Sequence, residues 1–166
     1  EPVTRDTVLQ WKRQCEAEMS KRGLQFHDMG HGWTVAPFGL DSTDAWMQKD
    51  GEKTELLPEI KQYLAEINGE RGLFKGVAIN TNFCMSNPTA RKMVTDYVRD
   101  FAEKHRSVTH LHLWLSDGSN NHCECDQCQK KTPSDWYVDL LNEIDAALTE
   151  NNIDVKININ SFEYFL

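Results

Sequence analysis

The stretch from Thr109 to Cys128, THLHLWLSDGSNNHCECDQC, decides how the rest of the chain is read. Its first half alternates as a strand does: Leu111, Leu113 and Leu115 fall on one face, His110, His112 and Trp114 on the other. Ser116-Asp117-Gly118 ends the strand, and a polar loop then delivers Cys123, Cys125 and Cys128 within six residues. Ligands of α/β proteins gather at the carboxyl ends of parallel strands. A strand that ends in a carboxylate and a thiol cluster is therefore the place to look for chemistry.

Working outward, the same strand–helix alternation recurs. Residues 5 to 22 read as a helix with Val8, Trp11, Cys15 and Met19 as its core stripe, which buries Cys15. A strand, Leu24 to Met29, leads into Gly30-His31-Gly32-Trp33 and a long loop to about Thr54 that holds Trp46. A helix from Leu57 to Asn68 opens with Pro58 in its first turn and closes at Asn68-Gly69. Leu73 to Asn80 reads as a strand around Val77-Ala78-Ile79. Asn87-Pro88 caps and starts the next helix, which ends near His105 with Val94, Tyr97, Val98 and Phe101 toward the core. Past the cysteines, Thr132-Pro133 repeats that device. The helix it starts carries Tyr137, Leu140, Leu141, Ile144 and Leu148 and closes at Asn151-Asn152. A last strand spans Ile153 to Asn160.

The order αβαβαβαβ implies a parallel sheet with right-handed crossovers. With no linker or low-complexity tract, residues 1 to 166 read as one α/β domain. A full (β/α)₈ barrel needs about 200 residues or more. Four strands make about half of one, and the other possibility is an open four-stranded sheet with helices on both faces.

Composition narrows the function classes. The chain is 27% charged and 39% hydrophobic with a formal net charge of -8, which suits a soluble globular domain and argues against nucleic-acid partners. No apolar run is long enough for a membrane span. The start, EPVTRD, shows no secretory leader pattern. No dinucleotide, Walker, G-x-S-x-G or H-E-x-x-H motif occurs.

The five cysteines are an odd number, so disulfides alone leave a thiol over. Cys123, Cys125 and Cys128 form C-x-C-x-x-C, and Cys84 follows the expected strand at 73 to 80. If that strand neighbours the one at Thr109, four thiols converge, a donor set that suits a closed structural zinc site. His122 replacing one thiolate, a disulfide through Cys84, and three ligands plus water remain open alternatives. Among carboxylates, Asp117 ends one strand and Glu163 follows another, and a facing pair is what glycoside hydrolysis uses. Asp-Gly is also a common turn dipeptide, and Glu is mostly a solvated residue. His27, Asp28, His31 and Trp33 cluster near the first strand end, where a ring beside polar groups suits a sugar.

Two stretches, FCMSNPTARKMVTDYV at 83 to 98 and LWLSDGSNNHCECDQC at 113 to 128, resemble a large bacterial domain family placed with glycoside hydrolase family 163. Its members are modular secreted proteins with a catalytic barrel similar to those of α-glucuronidases and hexosaminidases. The characterised activity is an endo-β-N-acetylglucosaminidase on N-glycans. The resemblance implies a TIM-type barrel, other domains of a longer protein as partners, a periplasmic or extracellular location and a glycan ligand. The ligand face would comprise His27, His31, Trp33, Asn80, Asn82 and Trp114. Asp117 would orient an acetamido group or stabilise charge, and Glu163 would donate a proton. The adjacent Asp-Glu pair of a substrate-assisted hydrolase is absent from this sequence. A carbohydrate-binding module without turnover and a zinc-stapled structural domain are the competing readings.

Overall fold

The computed structural model describes residues 3–40 and 56–159. Glu163 and the loop residue Trp46 lie outside the described residues. The long elements are helices α1 (Arg5–Lys21), α3 (Pro88–Lys104) and α4 (Pro133–Glu150) and strands β1 (His27–Gly30), β4 (His110–Leu113) and β5 (Lys156–Asn158). Between β1 and α3 lie a single helical turn, α2 (Pro58–Lys61), and two short strands, β2 (Glu66–Ile67) and β3 (Glu70–Arg71). No helix among the described residues is long and apolar enough to cross a membrane.

The main sheet is three-stranded and parallel, in the order β1-β4-β5. Both crossovers step in the same direction, and right-handed connections then put α3 and α4 on one face. Leu111 and Leu113 point to that face and are fully buried. They meet Ala90, Val94, Val98 and Ala102 of α3 and Tyr137, Leu140, Ile144 and Leu148 of α4. Arg91 and Glu143 tie the two helices at 2.9 Å. The two helix starts form as expected: Asn87 accepts from Thr89 and Ala90 N–H, and Thr132 makes a capping box with Asp135. The opposite face of the sheet carries His27, His110, His112 and Trp114. The described residues form no closed barrel.

Three expectations fail, each for a local reason. The helix read over Leu57 to Asn68 stops after one turn. Asn68 and Gly69 have φ of 53° and 78°, so this Asn-Gly is the tip of the β2–β3 hairpin, not a helix end. The segment Leu73 to Asn80 is no strand. Lys75 and Gly76 both take positive φ, and Thr81 Oγ1 caps the turn by accepting from Phe74 N–H and donating to the Val77 carbonyl, each at 2.8 Å. β4 consequently pairs with β1 directly.

The third failure is the face of α1. Val8 and Trp11 are each 51% exposed and Cys15 is exposed. The face that meets the sheet is charged instead. Lys12 Nζ donates to Asp28 at 2.6 Å, Arg13 to His105 Nδ1 at 2.8 Å, and buried Glu16 accepts from Ser107 at 3.1 Å. Periodicity located the helix, but ion pairs chose its buried side.

Candidate functional site

Cys84, Cys123, Cys125 and Cys128 meet in one corner, their sulfurs all within 4.8 Å of one another. Cys84 Sγ lies 3.7 Å from Cys125 Sγ and 3.8 Å from Cys128 Sγ. A disulfide needs about 2.05 Å, and all four are free thiols. A tetrahedral ion bonded to sulfur at about 2.3 Å has ligand–ligand edges of about 3.8 Å. The group can therefore hold a metal ion. His122 is exposed and is not part of this group.

The thiols converge as the sequence suggests, but by another route. No strand over 73 to 80 delivers Cys84. The chain around Phe83 bridges Leu64 instead, with Cys84 N–H donating to the Tyr63 carbonyl at 2.7 Å and Ala65 N–H to the Asn82 carbonyl at 3.0 Å. The hairpin then grips the cysteine loop. Glu124 N–H donates to the Glu66 carbonyl, Asn68 N–H to Glu124 Oε2, both at 2.7 Å, and Glu66 N–H to Cys123 Sγ at 3.3 Å.

Electrostatics match this geometry. Contacts with Cys123 and Cys128, and then with Ser86 and Arg71, hold the Cys84 thiol far below its ordinary range despite burial. Cys128 is raised well above it by Cys123, Cys84 and burial. Cys123 is pushed up to about 11, because its contact with Cys128 is outweighed by Cys84 and by burial. The four thiols thus titrate as one coupled group, which shares negative charge and protons among them. A divalent cation would take the place of those protons. Arg71 stands beside the sulfurs, 3.9 Å from Cys123 Sγ, anchored on the Leu64 carbonyl at 2.7 Å and on Glu66 at 3.4 Å. Ser86 Oγ touches three of them, at 3.1 to 3.5 Å from Cys128, Cys84 and Cys125. Sequence reasoning missed both residues. The Asn-Gly hairpin signal would have exposed Arg71, and the Cys84-Met85-Ser86 spacing gave no signal for Ser86.

The strand-end residues divide. His31, Trp114 and Asp117 come together past the ends of β1 and β4. The His31 ring meets Trp114 edge-on at 5.3 Å, and its Nε2 lies 3.6 Å from Asp117 Oδ1. The turn that presents Asp117 requires Gly118, since φ is 121° and a Cβ there would meet Phe74 at 2.7 Å.

The others are placed differently. His27 opens β1, at the amino end of the sheet, where it stacks on His110 at 4.2 Å and bonds His112 at 2.8 Å. Trp33 is a core residue, 1% exposed, donating to the Trp114 carbonyl at 2.6 Å. Its ring cannot lie against a sugar. Asn82 is buried and knits loops, accepting from Ser116 N–H at 3.1 Å and donating to the Asn121 carbonyl at 2.6 Å. The carbonyl of half-buried Asn80 accepts from Asn121 Nδ2 at 2.5 Å.

Fold and site together define a mixed α/β domain with a parallel sheet and a four-cysteine cluster able to hold a metal. The chain belongs to the family described as Domain of unknown function (DUF4838), which it matches over residues 3–165. No curated protein and no solved structure matches it.

Proposed function

We propose that the four cysteines hold a zinc ion that ties loops beside the carboxyl end of the sheet, and that the tied face binds glycan within a glycoside-hydrolase-like barrel of which this chain forms part. One juxtaposition carries this reading. The loop that supplies three of the thiols runs directly from Asp117, and Asp117 stands with His31 and Trp114 at the strand ends. An aromatic ring beside an imidazole and a carboxylate offers a sugar an apolar face and hydrogen-bond partners at once. The single-direction strand order, with both crossover helices on one face, supports the barrel. Zinc fits four soft donors at tetrahedral spacing, and such a closed site ties loops and leaves water unactivated.

In this reading Asp117 orients the substrate or stabilises charge, and Glu163 supplies the proton. A periplasmic or extracellular location and neighbouring domains of a longer protein go with it. The test is a titration and a turnover assay of the whole protein with an N-acetylglucosamine-containing glycan. Trp114→Ala is expected to weaken binding at least about tenfold, and Asp117→Ala to slow hydrolysis by about 10²-fold or more. Wild-type turnover in Asp117→Ala would remove that assignment. One observation favours a module without turnover: the side-chain amides of Asn82 and Asn121 are taken up by loop backbone. Saturable binding with no product would select it.

A further inference from the structure

At the third residue of β1 the backbone leaves the extended region. Met29 has φ of 82°, and Gly30 and Gly32 follow at 95° and 96°. Glycine takes such angles freely, but a side chain as large as that of Met meets a steric penalty there. Strain of this kind persists only where the surroundings impose it, and it gathers at functional sites. Two contacts impose it here. The Met29 side chain packs against the main hydrophobic core, and its N–H donates to Asp28 Oδ1 at 2.6 Å. The Asp28 side chain is itself 7% exposed and held from α1, by Lys12 at 2.6 Å and Arg13 at 3.5 Å. The turn that follows touches β4 through one long bond, Trp114 N–H to the Gly30 carbonyl at 3.3 Å. His31 stands between the two glycines, whose backbones leave its direction free. Its reach to Asp117, 3.6 Å, and to the Trp114 ring, 5.3 Å, therefore depends on how the chain leaves Met29.

We propose that Asp28 is a positioning residue of the strand-end face: its carboxylate holds Met29 in the left-handed turn that aims His31 at Asp117 and Trp114. Asp28 touches no ligand and acts through His31. The inference rests on the reading of that face as a glycan site. One oxygen, Asp28 Oδ1, accepts both from Lys12 Nζ and from the Met29 N–H. The same atom therefore seats α1 and latches the turn, and the two tasks separate by substitution. A residue that only seats the helix is replaceable in its effect by loss of Lys12. A residue that latches the turn is not, because the Met29 N–H keeps its acceptor when Lys12 is gone. An amide at position 28 still offers that N–H an oxygen, whereas a methyl group offers none.

The experiment is NMR on the whole protein labelled at His and Trp, reading the nuclear Overhauser contact between the His31 and Trp114 rings. A titration with an N-acetylglucosamine-containing glycan accompanies it, and each variant is measured well below its thermal midpoint. Asp28→Ala is expected to abolish the ring contact and to weaken glycan binding at least about tenfold, since small misplacements of a site residue cost that much or more. Asp28→Asn should restore both. Lys12→Met should loosen α1 and keep the ring contact. A contact missing from the wild type, or retained in Asp28→Ala, would overturn the proposal. So would its equal loss in Lys12→Met and Asp28→Ala, which would assign both effects to the seat of α1. A wild type that binds no glycan would remove the reading of the face. The ring contact, lost in Asp28→Ala and regained in Asp28→Asn, would in that case still establish that Asp28 places His31.

Discussion

Beneath the sheet, Leu111 and Leu113 meet two helices in a continuous hydrocarbon core, whereas at the thiol corner the buried apolar side chains among the described residues are one alanine and three cysteines. The first region holds itself by apolar burial, at about 0.8 kcal/mol per buried methylene. The second has almost no apolar surface to bury. It is assembled from backbone N–H groups, a serine, an arginine and sulfur, and it joins three chain segments distant in sequence. Without a cross-link, little opposes the entropy of those loops. On the proposed reading, an ion held by the four converging cysteines would do at this corner what hydrocarbon does elsewhere.

The sharpest way to break this contrast is to remove the metal. An ion bound only by the native state at a thousand times its Kd contributes about 4 kcal/mol. Chelation should therefore lower the thermal midpoint by about 8–16 °C, and Cys84→Ser should reproduce that shift and make the protein indifferent to chelator. A midpoint unmoved by chelation would mean that the corner is self-sufficient. On the core side, Ile144→Ala should cost about 2–5 kcal/mol. Calorimetry with and without chelator should give the same loss, because Ile144 belongs to the core beneath the sheet and is not one of the residues packed around the thiols. A chelator-dependent cost would show that they are one unit.

Arg71→Met sharpens the account of the corner itself. The guanidinium sits beside thiolates whose charge exceeds that of a divalent ion, so its loss should weaken metal affinity about 10- to 100-fold by competition titration. The fold below the sheet should be untouched. The smallest effect concerns α1, seated by charge and not by hydrocarbon. Burial opposes the charged form of Asp28, but Lys12, the Met29 N–H and Arg13 outweigh it and hold its carboxyl below the ordinary range. Burial and Arg13 lower His105. Both folded-state values lie below the unfolded ones. Stability from His105 is thus full above about pH 6.5 and lost as pH falls through its lowered value, and Asp28 follows the same course below about pH 3.9. Hydrogen exchange should show α1 loosening on acidification while α3 and α4 stay protected. Uniform loosening would contradict the charged seat.

How much of this was legible in the sequence depended on whether local signals competed. Asn87-Pro88 and Thr132-Pro133 each satisfy a helix start with nothing against them, and both helices begin there. The alternation around Leu111 held because its apolar side faces the core. The C-x-C-x-x-C spacing with a remote Cys84 anticipated the corner but not its route. Elsewhere a stronger term intervened. Asn68-Gly69 served a hairpin tip, and the Val77-Ala78-Ile79 run was overridden by positive φ at Lys75 and Gly76. The apolar stripe of α1 gave way to ion pairs with Asp28 and to hydrogen bonds with partners up to 92 residues away. At the strand ends, Trp33 resembled a ligand aromatic until its indole was found in the core. Long-range pairing of that kind leaves no periodic trace in a sequence.

The most direct measurement is intact mass under native and then denaturing conditions, with elemental analysis of the same sample. It should find one zinc per chain, released on denaturation, with five free thiols. A chain that carries no metal when purified without chelator, and whose four thiols titrate as independent groups, would contradict the account at its centre.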